Sequence, residues 1–515
     1  MSFWYIGQYL IPTSVILSCV FILSACNFSK NSEDSQNAIG TGVLGGMLSA
    51  TLLLRLQNET LGIRSYVGTI CQSDIMNELK ENTSRLFFKY AIPSVLGMLA
   101  ISSASIVDGL FIGNYVGALG LAAINITMPV FSLLFGLSLM IAIGSSVVSG
   151  KLMGQGDTSS ASIFFSKAFI FISIFSVLAC SLLFFNVEVI LTLFGANTKL
   201  LEIASDYLGI MLIFIPFLML GIVLDYFVKV DGQPLLAFYA LLTSAITNIV
   251  LDWFFIIYLE HGIKGAALAT GISHLVLFLM LLPHFFLPKS MIKFVKPKGD
   301  WLAIFKAALN GASEFVNETS AGITILIFNY VMIKTFDVEG VAAFAVIHYI
   351  LWVGIMISFG ISDSLQPLVS KNFGAREPKR IAAFLKLAFL SISLVGLFII
   401  SLLLLMSEQI STLFLKNSDQ ATKVIVLSFM TFIWPVFLVN GLNLMISAYF
   451  TAIHKPFESA CIALSRSLIF PIVFVMTLPY FFENKGIFMA IPAAEFVTFI
   501  ISIVFFLKLR PQSIV

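Results

Sequence analysis

From Leu86 to its end the chain is a series of apolar stretches, each long enough for one helix to cross a bilayer, separated by short polar breaks. Twelve can be drawn, at 86–112, 121–149, 161–185, 205–228, 235–258, 264–287, 303–334, 341–369, 380–406, 422–451, 457–481 and 486–507. The longest polar interruption among them, KSMIKFVKPKGDW at 289–301, falls midway and reads as a linker. The pattern predicts an all-α polytopic membrane protein. An N-lobe of helices 1–6 (76–288) is joined by a cytoplasmic linker (289–302) to a C-lobe of helices 7–12 (303–508), followed by a short tail (509–515). Residues 1–75 form an extension in front of this unit.

The two halves repeat each other. GNYV at 113–116 pairs with FNYV at 328–331, and SGKLMG at 149–154 pairs with VSKNFG at 369–374. Pro216, Tyr226-Phe227, Pro234 and Lys264-Gly265 match Pro435, Tyr449-Phe450, Pro456 and Lys485-Gly486 in the same order. Each half holds an even number of crossings, so both insert the same way up. The result is a parallel repeat about a pseudo-two-fold axis along the membrane normal. Two such lobes enclose a central cavity, and rocking them gives alternating access. Lysine and arginine set the orientation. Of 26 such residues from Met76 onward, 19 fall before the first helix, in even-numbered loops or at the C-terminus. Six fall in odd-numbered loops, and Arg466 lies inside a span. That asymmetry places both ends of the twelve-helix unit in the cytoplasm.

Composition agrees and narrows the function. The chain is 59% hydrophobic and 11% charged, with mean hydropathy +1.01, whereas soluble domains are about 25% charged. A net charge of +2 with no basic patch argues against nucleic-acid binding. The five cysteines form no CxxC pair and the five histidines show no metal-ligand spacing, so neither disulfides nor a resident metal is expected. No P-loop, GxSxG or HExxH motif points to an enzyme, and no cofactor is implied.

Ionisable residues inside spans cost about 2.5–3.5 kcal/mol each on insertion scales, so each is a functional candidate. Asn248 and Asp252 in NIVLDWFF are four apart and project from one helix face. An amide oxygen beside a carboxylate suits Na⁺ or a shared proton. Asp108 lies fifteen residues after Pro93, whose missing N–H permits a kink. Alternative readings are a snorkelling Asp108 and a purely structural Asn248–Asp252 pair. Glu314 and Glu318 are also four apart, among small residues. They read either as a substrate or coupling carboxylate or as a polar face of close helix packing. Asp363 stands with them as a coupling candidate. Arg466 with Glu495 reads as a structural ion pair between helices 11 and 12, and Asp225 with Lys229 as a local pair.

At these residues the chain resembles the multidrug and toxic compound extrusion (MATE) family, over roughly residues 78–508. The resemblance rests on YAIPSVLGML with SIVDGLFIGNYVG, on NIVLDWFFI, GIKGAALATGIS and QPLVSKNFGA, and on YFTAIHKP with LSRSLIFP. It implies a bacterial inner-membrane antiporter that exports amphipathic or cationic organic compounds in exchange for H⁺ or Na⁺. It implies a cation site at Asp108, Asn248, Asp252 and Thr270, and bending of the first helix at Pro93. A seventh-helix acid falls on Glu314 or Glu318, and no acid occupies the tenth helix. A monomer is expected, with small-molecule drugs and the lipid bilayer as its partners. A flippase for a lipid-linked precursor, with the same broader fold, is the alternative; it would favour a strongly cationic cavity, and few basic residues lie mid-span. A membrane enzyme or receptor is a third reading, disfavoured by the repeat.

The extension is anomalous. Residues 3–25 are apolar and end in a lipoprotein-like box before Cys26, without a basic n-region. SQNAIGTGVLGGMLSAT at 35–51 is similar to a segment of RND-type efflux pumps. The extension is expected to be a remnant or an overextended reading frame.

Overall fold

A computed structural model describes residues 78–414 and 420–514. The extension, with its apolar run, Cys26 and segment 35–51, lies outside the described residues. Those described belong to one compact unit, Cys71–Val515, and are helical, with no strand among them.

Six apolar helices build the N-lobe. They are α1 (Thr83–Val116), α2 (Leu119–Gly154), α3 (Thr158–Phe184), α4 (Thr198–Val230), α5 (Pro234–Tyr258) and α6 (Gly262–Phe286). Their starts follow ordinary capping chemistry. Asn82, Asp157 and Asn197 accept the otherwise unpaired amides of Ser84, Ser160 and Leu200 at 2.9, 2.9 and 3.0 Å, and Pro234 occupies the first turn of α5.

The C-lobe begins with a continuous apolar run, Ala312–Gly374, that is two helices. At Asp337 the backbone turns to φ 56°, ψ −149°, which separates α7 (312–336) from α8 (338–374). Then come α9 (Pro378–Leu405), α10 (Thr422–Ile433 with Val436–Ala452), α11 (Pro456–Phe482) and α12 (Asn484–Lys508). The two parts of α10 meet at 58° across Trp434-Pro435, where proline cannot donate the next helical hydrogen bond. Among the described residues twelve apolar segments result, in two six-helix lobes, and the protein is a multi-pass membrane protein.

The repeat shows in the backbone. Left-handed residues recur in pairs at the same turns: Gly117 with Asp337, Gly156 with Arg376, Gly232 with His454, and Glu260 with Glu483. The members of these pairs are 220, 220, 222 and 223 positions apart. Asp337, Arg376, His454 and Glu483 take a positive φ, which costs an ordinary residue roughly 1 kcal/mol or more; the packing of the repeat holds them there.

The expected seventh span, 303–334, differs in one respect. Leu302–Asn310 is a separate amphipathic helix that ends at Gly311 (φ −92°, ψ 6°), and α7 starts at Ala312. A Cβ at Gly311 would strike the Met140 carbonyl of α2, so the chain turns there where it passes close to the other lobe.

The lobes meet at one end, where α2 and α8 cross backbone to backbone. A Cβ on Gly154 would collide with the Lys371 carbonyl, and one on Gly374 with the Lys151 carbonyl. Gly150 faces Ser370. These contacts are reciprocal across the repeat and mark where the pseudo-two-fold axis passes. Small residues permit such a crossing in lipid. The first turns of α1 (Leu86, Phe87, Tyr90 and Ala91) are buried with C-lobe residues of α8, α9 and α10. Glu78, just before α1, accepts hydrogen bonds from Lys371 Nζ at 2.7 Å and Tyr90 Oη at 2.6 Å. Burial pushes the Glu78 carboxyl up, but the Lys371 charge and both hydrogen bonds outweigh it and hold it below its ordinary range.

Candidate functional site

The N-lobe polar site is built from α1, α4, α5 and α6. Asp252 is fully buried and neither carboxylate oxygen has a hydrogen-bond partner. A carboxylate in that state needs a proton or a cation. Asn248, one turn earlier and 7% exposed, donates through Nδ2 to Thr270 Oγ1 at 3.3 Å, which ties α5 to α6. Ser244 Oγ donates to the Ser273 carbonyl at 2.8 Å and Ser273 Oγ to the Thr270 carbonyl at 2.7 Å, so the backbone behind Thr270 is held as well. Asp108 of α1 is half-buried, with an unpartnered Oδ1, and lies within electrostatic reach of Asp252.

Local backbone geometry frames this site. Helix α5 switches from α- to π-helical hydrogen bonding at Trp253, immediately after Asp252. Helix α1 does the same at Ile112, one turn after Asp108. Such wide turns often sit at functional positions, and here the two pack against each other. Pro93 lies in the same helix as Asp108, which runs unbroken across it.

The other candidates fall into two groups. On α7, Glu314 is buried and its Oε2 accepts a long 3.5 Å bond from Asn317 Nδ2. Glu318, half-buried, faces α2 beside Gly136. Within the C-lobe, Glu495 of α12 is saturated. It accepts from Asn440 Nδ2 at 2.6 Å, Asn443 Nδ2 at 2.8 Å and Arg466 Nη2 at 3.1 Å. A fully bonded carboxylate of this kind holds three helices together. Arg466 lies in a π-helical stretch of α11, Ser465–Ile469, so both lobes place polar groups at such turns. Asp363 stands apart, at the lobe contact, where it bonds Lys229 Nζ of α4 at 2.8 Å.

A model of the MatE family matches residues 93–254 and 315–477. The chain belongs to the MatE family. The two matched segments fall one in each lobe, and the first contains Asp108, Asn248 and Asp252. The chain is 26% identical over 412 residues to the multidrug export protein MepA of Staphylococcus aureus (strain NCTC 8325 / PS 47), covering 77% of this chain and 88% of the relative. It is 24% identical over 411 residues to MepA of Staphylococcus saprophyticus, with the same coverage. The structure is similar, at TM-score 0.80 and 21% identity, to a solved structure titled as the outward-facing conformation of a multidrug resistance MATE family transporter. That match covers 85% of this chain and 98% of the other.

Two features of this MatE protein escaped the sequence. Tyr207 of α4, 8% exposed, lies within electrostatic reach of both Asp108 and Asp252. Only the packing of α4 against its neighbours places it there. Asn440 and Asn443, three apart in an apolar span, did carry a signal: two amides on one helix face require a polar partner, and Glu495 was the available acid.

Proposed function

We propose that the protein is a secondary active multidrug exporter of the bacterial inner membrane, driven by entry of H⁺ or Na⁺ through the N-lobe site. The observation that carries this reading is Asp252, fully buried in an apolar helix with both carboxylate oxygens unpartnered. Asp108 supplies a second carboxyl, Asn248 and Thr270 supply neutral oxygens, and Tyr207 supplies a hydroxyl. The set can hold a proton or coordinate Na⁺ with hard oxygen ligands. Orientation follows the lysine count, so the end bearing Lys151, Lys229 and Lys371 faces the cytoplasm.

The mechanism is linkage. On this reading the α2–α8 contact is the cytoplasmic closure, and the cavity opens outward while it holds. A cation entering the N-lobe site neutralises Asp252 and favours release of a cationic compound from the shared cavity. Reclosure on the outer side then opens the α2–α8 contact and delivers the cation inward. Glu318, half-buried and facing α2, adds a C-lobe carboxyl that suits an organic cation on this reading. The protein acts as a monomer in the bilayer, and the names of the MepA relatives support multidrug compounds as its cargo.

The test is efflux of cationic dyes in a pump-deficient bacterial host, with and without Na⁺, comparing wild type, Asp252→Asn and Asp108→Asn. Efflux is expected to fall to background in both variants at unchanged membrane abundance. Undiminished efflux in both would defeat the coupling site.

A further inference from the structure

At the lobe contact, Lys229 Nζ of α4 lies 2.7 Å from Asp225 Oδ2 on its own helix and 2.8 Å from Asp363 Oδ2 on α8. All three are 5% exposed or less. Two carboxylates share one ammonium, so the group carries one negative charge too many for a buried site. The other oxygens, Asp225 Oδ1 and Asp363 Oδ1, are buried and have no partner. A buried ion pair is tolerated only when its remaining lone pairs are met, and here they are not. One bound proton makes the group neutral and turns one carboxyl into a donor.

Among the described residues no other positive charge pairs with the group. Tyr226 lies with its ring 4.9 Å from Lys229 Nζ, and its neutral hydroxyl, which faces Asp363, can donate to that carboxylate but brings no charge. Glu314 of α7, within electrostatic reach of Asp363, adds a carboxyl and no cation. Lys371, two turns further along α8, is taken by Glu78 and Tyr90, and Lys151 of α2 lies over the Phe373 ring at 5.4 Å. The group also depends on the lobes being together. Asp225 and Lys229 stay paired on one helix when the lobes part, as a neutral pair. Asp363 leaves with α8 into water, which meets its lone pairs.

We propose that Asp225, Lys229 and Asp363 form a second proton site, at the seam between the lobes, occupied when the cytoplasmic contact is closed and emptied when it opens. Closing the seam takes up one proton, so acid favours the closed seam. It rests on the two lobes exchanging closures as described above, but not on the N-lobe site, from which it is separate. By linkage, the closed-to-open ratio rises by up to about tenfold for each unit fall in pH.

The experiment is a pulsed dipolar distance measurement on the full chain in lipid nanodiscs between pH 5 and 8. Spin labels are placed at the exposed positions Ser159 and Lys379, one on each lobe beside the seam. In wild type the short-distance population is expected to grow as pH falls. Asp225→Asn and Asp363→Asn each leave Lys229 with one carboxylate, so the fold is kept, and both are expected to flatten the titration. Asp363→Glu is expected to restore it, and Asp252→Asn is expected to retain it. A wild-type seam that ignores pH, or Asn variants that titrate as wild type does, would overturn the proposal. So would loss of the titration in Asp252→Asn alone. Failure of the N-lobe site to support efflux would leave this readout untouched.

Discussion

Replacing Gly154 by alanine tests whether the α2–α8 crossing holds the cytoplasmic side shut. The new Cβ meets the Lys371 carbonyl oxygen at an impossible distance, and that oxygen is backbone rather than a flexible side-chain end. One helix must therefore move. Overpacking of this kind costs about 1–3 kcal/mol. Because the clash exists only when α2 and α8 touch, the cost falls on the closed seam alone. The closed-to-open ratio should then drop roughly 5- to 150-fold. Gly322→Ala is the control: nothing lies within 4 Å of its added Cβ, so it should leave the ratio unchanged. The dipolar distance between Ser159 and Lys379 labels reads the ratio directly. A Gly154→Ala protein that is folded and shows the wild-type distance distribution would refute the reasoning.

Three further outcomes follow from the same geometry. Glu495→Ala strands Arg466 and the amides of Asn440 and Asn443, so it should destabilise the C-lobe by about 3–5 kcal/mol. A thermal melt in detergent should show a large fall in Tm, while cation binding to material still folded is kept. Thr270→Val removes the 3.3 Å bond from Asn248; at about 0.5–1.5 kcal/mol it should weaken apparent cation affinity roughly 2- to 12-fold in transport titrations. Glu78 has a folded-state carboxyl held below its ordinary range. Its stabilising contribution is therefore full above the usual glutamate pKa and is lost as pH falls through the lowered value. Melts of wild type and Glu78→Gln should differ near neutral pH and converge in acid.

Spacing and hydropathy made much of this protein legible. Twelve spans and two repeated halves could be read from hydropathy and spacing, and Asp108, Asn248 and Asp252 stood out because each is a polar side chain where lipid demands an apolar one, whereas Thr270 entered only through the family resemblance. The span at 303–334 was drawn too long because Gly311 inside an apolar run does not reveal that its Cβ would strike Met140 of another helix. The π-helical turns after Asp252 and around Arg466 likewise come from packing rather than from any residue pattern, whereas the bend at Trp434-Pro435 coincides with a proline. The Lys229–Asp363 bond joins residues 134 positions apart across two lobes. Lys229 could be paired with Asp225 by its four-residue spacing, but its second carboxylate had no sequence signature.

The central claim is that cation entry through Asp252 drives export. The most direct measurement uses purified protein in proteoliposomes carrying an imposed inward cation gradient. A cationic dye and the internal cation are monitored together, in wild type and in Asp252→Asn. Wild type should move dye against its gradient with a matching cation flux, in H⁺ or in Na⁺, and Asp252→Asn should lose both together. Dye transport that persists in Asp252→Asn with its cation flux intact would contradict the account.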